Sequence, residues 1–274
     1  MTHAAVDAVP RPTPTSTAVR DFVSLTKPRI ISLLLVTTVA PMFVAGTPSW
    51  LTVAVVTLGG YLMAGGANAV NMYLDRDIDG SMARTRLRPI PGGRLTPPAV
   101  LAFGVALAAA ATWLLAAFVN VLTAALALAG FYAYVFIYTR WLKRSTPQNI
   151  VIGGAAGAVP PLVGWAAVTG SLDLTAWYLF LIVFYWTPPH FWALALLKQR
   201  DYARAGVPMA PNVWGERETK DEMLWYACVL VALTLLPVAF AAFGWVYFAS
   251  ALALDALLLH GVWRVRHARE WTEA

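Results

Sequence analysis

The placement of the basic residues limits what this chain can fold into more than any single motif does. Apolar runs near the length needed to cross a bilayer, about 20 residues, occur at roughly 30–47, 51–73, 97–117, 121–139, 149–169, 174–197, 223–243 and 245–263. All 20 lysines and arginines lie on one side of these runs. Arg11, Arg20, Lys27 and Arg29 precede the first. Arg76, Arg84, Arg86, Arg88 and Arg94 follow the second, and Arg140, Lys143 and Arg144 the fourth. Lys198, Arg200, Arg204, Arg217 and Lys220 follow the sixth, and Arg264, Arg266 and Arg269 the eighth. Every cluster is reached after an even number of crossings, and the opposite connections carry no basic residue, only Asp173. Because Lys and Arg remain on the cytoplasmic side, the pattern predicts an all-α, polytopic membrane helical bundle of about eight transmembrane helices, with both termini and all charged loops cytoplasmic.

Composition agrees. Charged residues make up 12% of the chain, against about 25% in soluble domains. Residues 1–20 are rich in Thr, Pro, Ala and Ser and lack the apolar core of a signal peptide, so they read as a disordered cytoplasmic tail before one intramembrane domain, 21–274. Cys228 is the single cysteine, which rules out an intramolecular disulfide and a cysteine metal site. The net charge of +6 is explained by topology, and no nucleic-acid partner is expected.

The outer connections are short, whereas the loops after the second and sixth runs are each about 25 residues, and loops that long in a compact domain are usually functional. The first opens with Asn71, Asp75 and Asp79. Steps of four advance about 400° around a helix, so the three lie on one face with roughly 40° of drift per step. A row of oxygen ligands suits a hard cation such as Mg²⁺, which binds one or two carboxylates plus substrate phosphate oxygens. Arg84 and Arg88 stand just downstream to bind the rest of a polyanion. The second loop opens with Lys198, Arg200, Asp201 and Arg204. Asp201 is a candidate second metal ligand, with Lys198 and Arg204 as phosphate-binding cations if the two loops face each other. Lys143 and Arg144 either reach the same anion or serve only as topology signals. His190, after Pro188 and Pro189, either contacts a haem-type ligand or bonds a carbonyl freed by a kink. Pro160–Pro161 and Pro188–Pro189 are expected to kink or break their helices. Gly153 and Gly157 either allow close helix packing or leave room for a flat ligand. Asp255, within the eighth run, is expected to be neutral or paired.

The row Asn71, Asp75, Asp79, followed by Met82-Ala83-Arg84-Thr85-x-x-Arg88-Pro89, resembles the first aspartate-rich motif of the UbiA superfamily of intramembrane prenyltransferases. Three further stretches resemble its protohaem-farnesylating branch. They are Tyr138-Thr139-x-x-Leu142-Lys143-Arg144-x-Thr146-Pro147-x-Asn149-Ile150-Val151-Ile152-Gly153-Gly154, Trp186-Thr187-Pro188-Pro189-His190-Phe191-Trp192, and Asp201-Tyr202-x-x-Ala205-Gly206-Val207-Pro208-Met209. The resemblance, over roughly 22–225, implies a bundle around a central cavity with a cytoplasmic cap that binds diphosphate. Many members carry a second Asp-xxx-Asp row. Here Ala205 follows Asp201 by four, as in the haem-farnesylating branch. Nine helices are typical of the superfamily, so a further helix is expected beyond the eighth.

The activity this implies is transfer of a farnesyl group from farnesyl diphosphate to a vinyl group of haem b, with water addition, giving haem O and diphosphate. Asp75, Asp79 and Asp201 are the implied catalytic residues, ligating Mg²⁺ with Asn71. Arg84, Arg88, Lys143, Arg144, Lys198 and His190 are the implied substrate-binding residues. Haem b is a substrate and not a resident cofactor. Haem A synthase or oxidase assembly factors are the implied partners, and the inner (plasma) membrane, with its lipid, the implied location. Competing readings are a prenyltransferase acting on a quinone precursor or chlorophyllide, which calls for a second aspartate pair; a non-catalytic haem carrier, which needs His190 but not the aspartate row; and a transporter, which calls for midplane charges and repeat symmetry.

Overall fold

Apolar runs rich in Ala, Leu and Val, bounded by capping residues and prolines, form long helices in the computed structural model, which describes residues 14–239 and 243–268. The helices are α1 (Pro14–Thr26), α2 (Pro28–Ala45), α3 (Trp50–Leu74), α4 (Pro97–Phe118), α5 (Val121–Ser145), α6 (Asn149–Thr169), α7 (Leu174–Leu197), α8 (Glu216–Ala239) and α9 (Trp245–His267), with no strand among the described residues. The starts follow capping chemistry. Ser49 accepts from the Thr52 amide, Asn120 from that of Thr123, and Asp173 from those of Thr175 and Ala176.

Among the described residues seven spans are long and apolar enough to cross a membrane, α1 and α2 forming one of them, Thr17–Ala45. The chain is a multi-pass membrane protein. The run expected at 223–243 lies largely in α8, and residues 240–242 fall outside the described residues. α8 starts with a charged segment, Glu216 to Glu222, and its apolar part runs up to residues 240–242. Of the tail expected at 1–20, residues 1–13 lie outside the described residues, and the chain is helical from Pro14 onward. Phe22 and Leu25 of α1 pack with Ala69, Met72 and Val100 of α3 and α4, which anchors that helix.

α3 runs against α4, α2 against α6, α6 against α7, and α8 against α7 and α9. α2 and α6 approach so closely that a Cβ on Gly164 would lie 1.9 Å from the Thr38 carbonyl oxygen. The proline pairs do not break their helices: α6 continues through Pro160 and Pro161, and α7 through Pro188 and Pro189. All four are buried among neighbouring helices, and such packing re-satisfies the freed backbone groups at membrane depth. Pro237 has an observable substitute for its missing amide. The Tyr178 hydroxyl donates to the Leu233 carbonyl at 2.7 Å, the acceptor a residue at 237 would ordinarily serve. Close by, Asp255 accepts from the Thr234 hydroxyl at 2.7 Å.

α5 departs from regular geometry. Ala133–Leu142 is π-helical, a form that concentrates at functional sites. The Thr139 hydroxyl donates to the Tyr134 carbonyl, five residues back, at 2.8 Å. This wider turn carries Tyr138, Thr139, Lys143 and Arg144 to the loop end of α3.

Candidate active site

The i→i−4 hydrogen bonding of α3 runs past its end. The Asp75 amide donates to the Asn71 carbonyl, and the Asp79 amide to the Asp75 carbonyl, both at 2.9 Å. This continuity stacks the three side chains, at 4%, 1% and 2% exposure, so the row is enclosed and not a solvated loop.

Each aspartate has a cation. Lys143 Nζ donates to Asp75 Oδ2 at 2.5 Å, and the Asn71 amide donates to the same oxygen at 2.9 Å and to the Thr139 hydroxyl at 3.1 Å. Arg88 Nη1 donates to both Asp79 oxygens, at 2.9 and 2.8 Å. Arg144 forks onto Asp77 at 2.6 and 2.7 Å and donates to the Leu74 carbonyl at 3.0 Å. Hydrogen bonds from Arg144 hold the Asp77 carboxyl down to about 2. Burial raises the Asp79 carboxyl above its ordinary value, against the pull of Arg88.

One oxygen is left over. Asp75 Oδ1 is buried without a hydrogen-bond partner, with Arg144 Nη2 3.6 Å away. A buried carboxylate oxygen without a hydrogen-bond donor fits a hard cation that completes its shell with phosphate oxygens and water. Among the described residues no group of three or more His, Cys, Asp or Glu is close enough to hold a metal. Asn71, Asp75, Asp79 and Asp201 are therefore not preassembled as one four-ligand centre.

The other expected residues lie differently. Arg84 and Arg88 line a cleft of about 520 Å³ between α1 and the first loop, with Arg20, Asp21, Met72 and Arg94. Asp201 is paired with Arg204, on the short helix Gln199–Arg204, and Lys198 is exposed. The second loop still reaches the first indirectly. Tyr202 and Tyr138 pack on one cluster, and the Asn149 amide donates to the Pro208 carbonyl at 3.3 Å. His190 stacks on Trp186, ring centroids 4.4 Å apart, with Phe191 edge-on at 5.3 Å, on an exposed face of α7. The two glycines of α6 divide the readings given for them: a Cβ on Gly153 would meet the Tyr138 ring at 2.3 Å, and one on Gly157 would meet nothing within 4 Å. The sequence reading missed Thr139, which fixes the Asn71 amide, and the Asp77–Arg144 pair. The one available signal was Asp77 within the acidic run.

Residues 33–273 match the UbiA prenyltransferase family. The chain belongs to that family. Relatives of this UbiA chain include proteins named protoheme IX farnesyltransferase. The one from Symbiobacterium thermophilum is 61% identical over 215 residues, covering 78% of this chain and 72% of the relative. That from Gloeobacter violaceus is 52% identical, covering 92% and 84%. That from Chloroflexus aurantiacus is 55% identical over 91% of this chain but only 43% of its own length. The chain thus spans about half the length of some curated relatives it matches. Among solved structures, a UbiA homologue from Archaeoglobus fulgidus bound to DMAPP and Mg²⁺ superposes with a TM-score of 0.74 at 16% identity, covering 89% of this chain and 86% of that one. A digeranylgeranylglyceryl phosphate synthase superposes at 0.75 and 17%, covering 92% and 88%. These two establish the fold alone. The row Asn71, Asp75, Asp79 and its neighbour Asp77 take their cations from α5 and the first loop.

Proposed function

We propose that this chain transfers a farnesyl group from farnesyl diphosphate to a vinyl group of haem b, giving haem O. The observation that carries the reading is the buried Asp75 carboxylate, one oxygen held by Lys143 and Asn71 and the other without a hydrogen-bond donor, 3.6 Å from Arg144. This is a site prepared for a cation and a polyanion together. The acceptor and chain length follow from the 52–61% identity to proteins named for that reaction.

Asn71, Asp75 and Asp79 are the residues that would hold Mg²⁺, with Asp201 joining if its loop closes over the row. When bound, the ion neutralises charge on the departing diphosphate. Lys143, Arg144, Arg84 and Arg88 share that charge, and Lys198 approaches with the second loop. The allylic carbon–oxygen bond breaks and its electron pair leaves with the diphosphate. The haem vinyl carbon forms the new carbon–carbon bond. Water adds to the resulting cation beside the ring and loses a proton, leaving a hydroxyl. The apolar bundle excludes water from the first cation, and His190 with Trp186 offers a flat contact for the macrocycle. The basic character of the loops supports a site at the cytoplasmic face of the plasma membrane, and the reading has the product pass to haem A synthase or oxidase assembly.

The test uses the full chain in nanodiscs with haem b, farnesyl diphosphate and Mg²⁺, read by mass spectrometry of extracted haem. A farnesyl-plus-water adduct supports the reading. Bound haem without an adduct favours a haem carrier.

A further inference from the structure

We propose that Lys27 is an additional diphosphate-binding residue of this site, set by a left-handed backbone turn between α1 and α2; this rests on the reading above. Lys27 has φ 56° and ψ 62° and is the one non-glycine residue with positive φ among those described. The following Pro28 accounts for the helix interruption, because it disfavours helical geometry at the residue before it. It does not account for a left-handed turn, nor for a lysine there. Glycine or asparagine takes that conformation with least strain, and strained backbone of this kind collects at ligand sites.

The turn directs the ammonium to the row. Lys27 Nζ donates to Asn68 Oδ1 at 3.0 Å, and the Asn68 amide returns a bond to the Thr26 carbonyl at 3.0 Å. Asn68 stands three residues before Asn71 on α3. It therefore extends the Asn71, Asp75, Asp79 face one turn deeper into the bundle. The charges acting on Lys27 are those of Arg88, Lys143 and Arg84, all repulsive, against Asp75.

Pairing then leaves a remainder. Asp75 is taken by Lys143, Asp77 by Arg144 and Asp79 by Arg88. Among the described residues Lys27 and Arg84 have no carboxylate within ion-pair distance. Arg20, Arg76 and Arg86 are likewise without a carboxylate among the described residues, and this surplus of cations around the row calls for a ligand with at least two negative charges. An organic diphosphate has them, and Lys27 retains ammonium donors beyond the one given to Asn68.

Lys27→Gly and Lys27→Asn remove the charge and suit the left-handed turn, whereas Lys27→Arg keeps the charge. The experiment measures binding of inorganic diphosphate with Mg²⁺ to the full chain in nanodiscs by calorimetry, beside thermal melting. Loss of a charge-assisted contact is expected to raise the diphosphate Kd about 10- to 100-fold in the glycine and asparagine variants at unchanged or higher Tm, with the arginine variant within a few-fold of wild type. Wild-type affinity in Lys27→Gly or Lys27→Asn would overturn the inference and leave the proposed function standing. If the neutral variants lose diphosphate and the wild type makes no farnesylated haem, Lys27 is supported and only the haem acceptor is wrong. Absence of diphosphate binding by the wild type overturns both.

Discussion

Lys143 Nζ lies 2.5 Å from Asp75 Oδ2, across 68 residues of sequence and the whole of α4. The pair ties the π-helical end of α5 to the row on α3, and both side chains are largely enclosed, at 14% and 1% exposure.

Removing one member of such a pair leaves an uncompensated buried charge. Lys143→Met and Asp75→Asn are each expected to destabilise the chain by about 3–5 kcal/mol, and the double variant by much less than the sum. Turnover should behave differently. Asp75→Asn is expected to lose about 10²- to 10³-fold, with no recovery in the double variant. Melting curves and haem mass shifts on the same four proteins check both halves.

Chelation separates binding from chemistry. With EDTA, farnesyl transfer is expected to stop while haem b remains bound, and added Mg²⁺ should restore it, because the orphaned Asp75 Oδ1 needs a cation and the macrocycle does not. Haem absorbance and product mass, followed together, report this. Full turnover in EDTA would remove the metal from the reading.

Asp201 separates a structural pair from a functional carboxylate. Its partner Arg204 is exposed, so Asp201→Asn should change stability by no more than about 0.5 kcal/mol. If the second loop closes on the loaded site, turnover falls at least about 10-fold. Arg204→Gln, which breaks the same pair, should leave turnover close to wild type. Equal activity in both variants would take Asp201 out of the site.

The glycines of α6 and its neighbours make opposite predictions. Gly164→Ala places a Cβ 1.9 Å from the Thr38 carbonyl oxygen and Gly153→Ala one at 2.3 Å from the Tyr138 ring. Both should lower Tm, Gly164→Ala the more because backbone cannot swing aside. Gly157→Ala places a Cβ with nothing within 4 Å and should leave Tm unchanged while weakening turnover, if that space receives substrate.

Much of the architecture was legible because a bilayer makes it so. Backbone groups in hydrocarbon must be satisfied within the segment, so long apolar runs become helices, and most of their ends in the structure fall within about four residues of the expected bounds, whereas α5 runs on to Ser145 and α8 begins already at Glu216. The proline pairs misled for the complementary reason. Pro188 and Pro189 break a helix in water, but buried in α7 they have no competing solvent to break it toward.

The sequence by itself determined the helical bundle, the side on which charge accumulates and the one-face row of Asn71, Asp75 and Asp79, since these depend on composition and period along one segment. Only the tertiary structure decided which cation meets which carboxylate. Arg144 chose Asp77, Lys143 chose Asp75, and Arg204 kept Asp201. It also decided that Lys27 turns toward Asn68, through a backbone conformation that no spacing encodes. Ion pairing depends on distances of a few ångströms between segments far apart in sequence, and those distances are set by how α1, α3 and α5 pack.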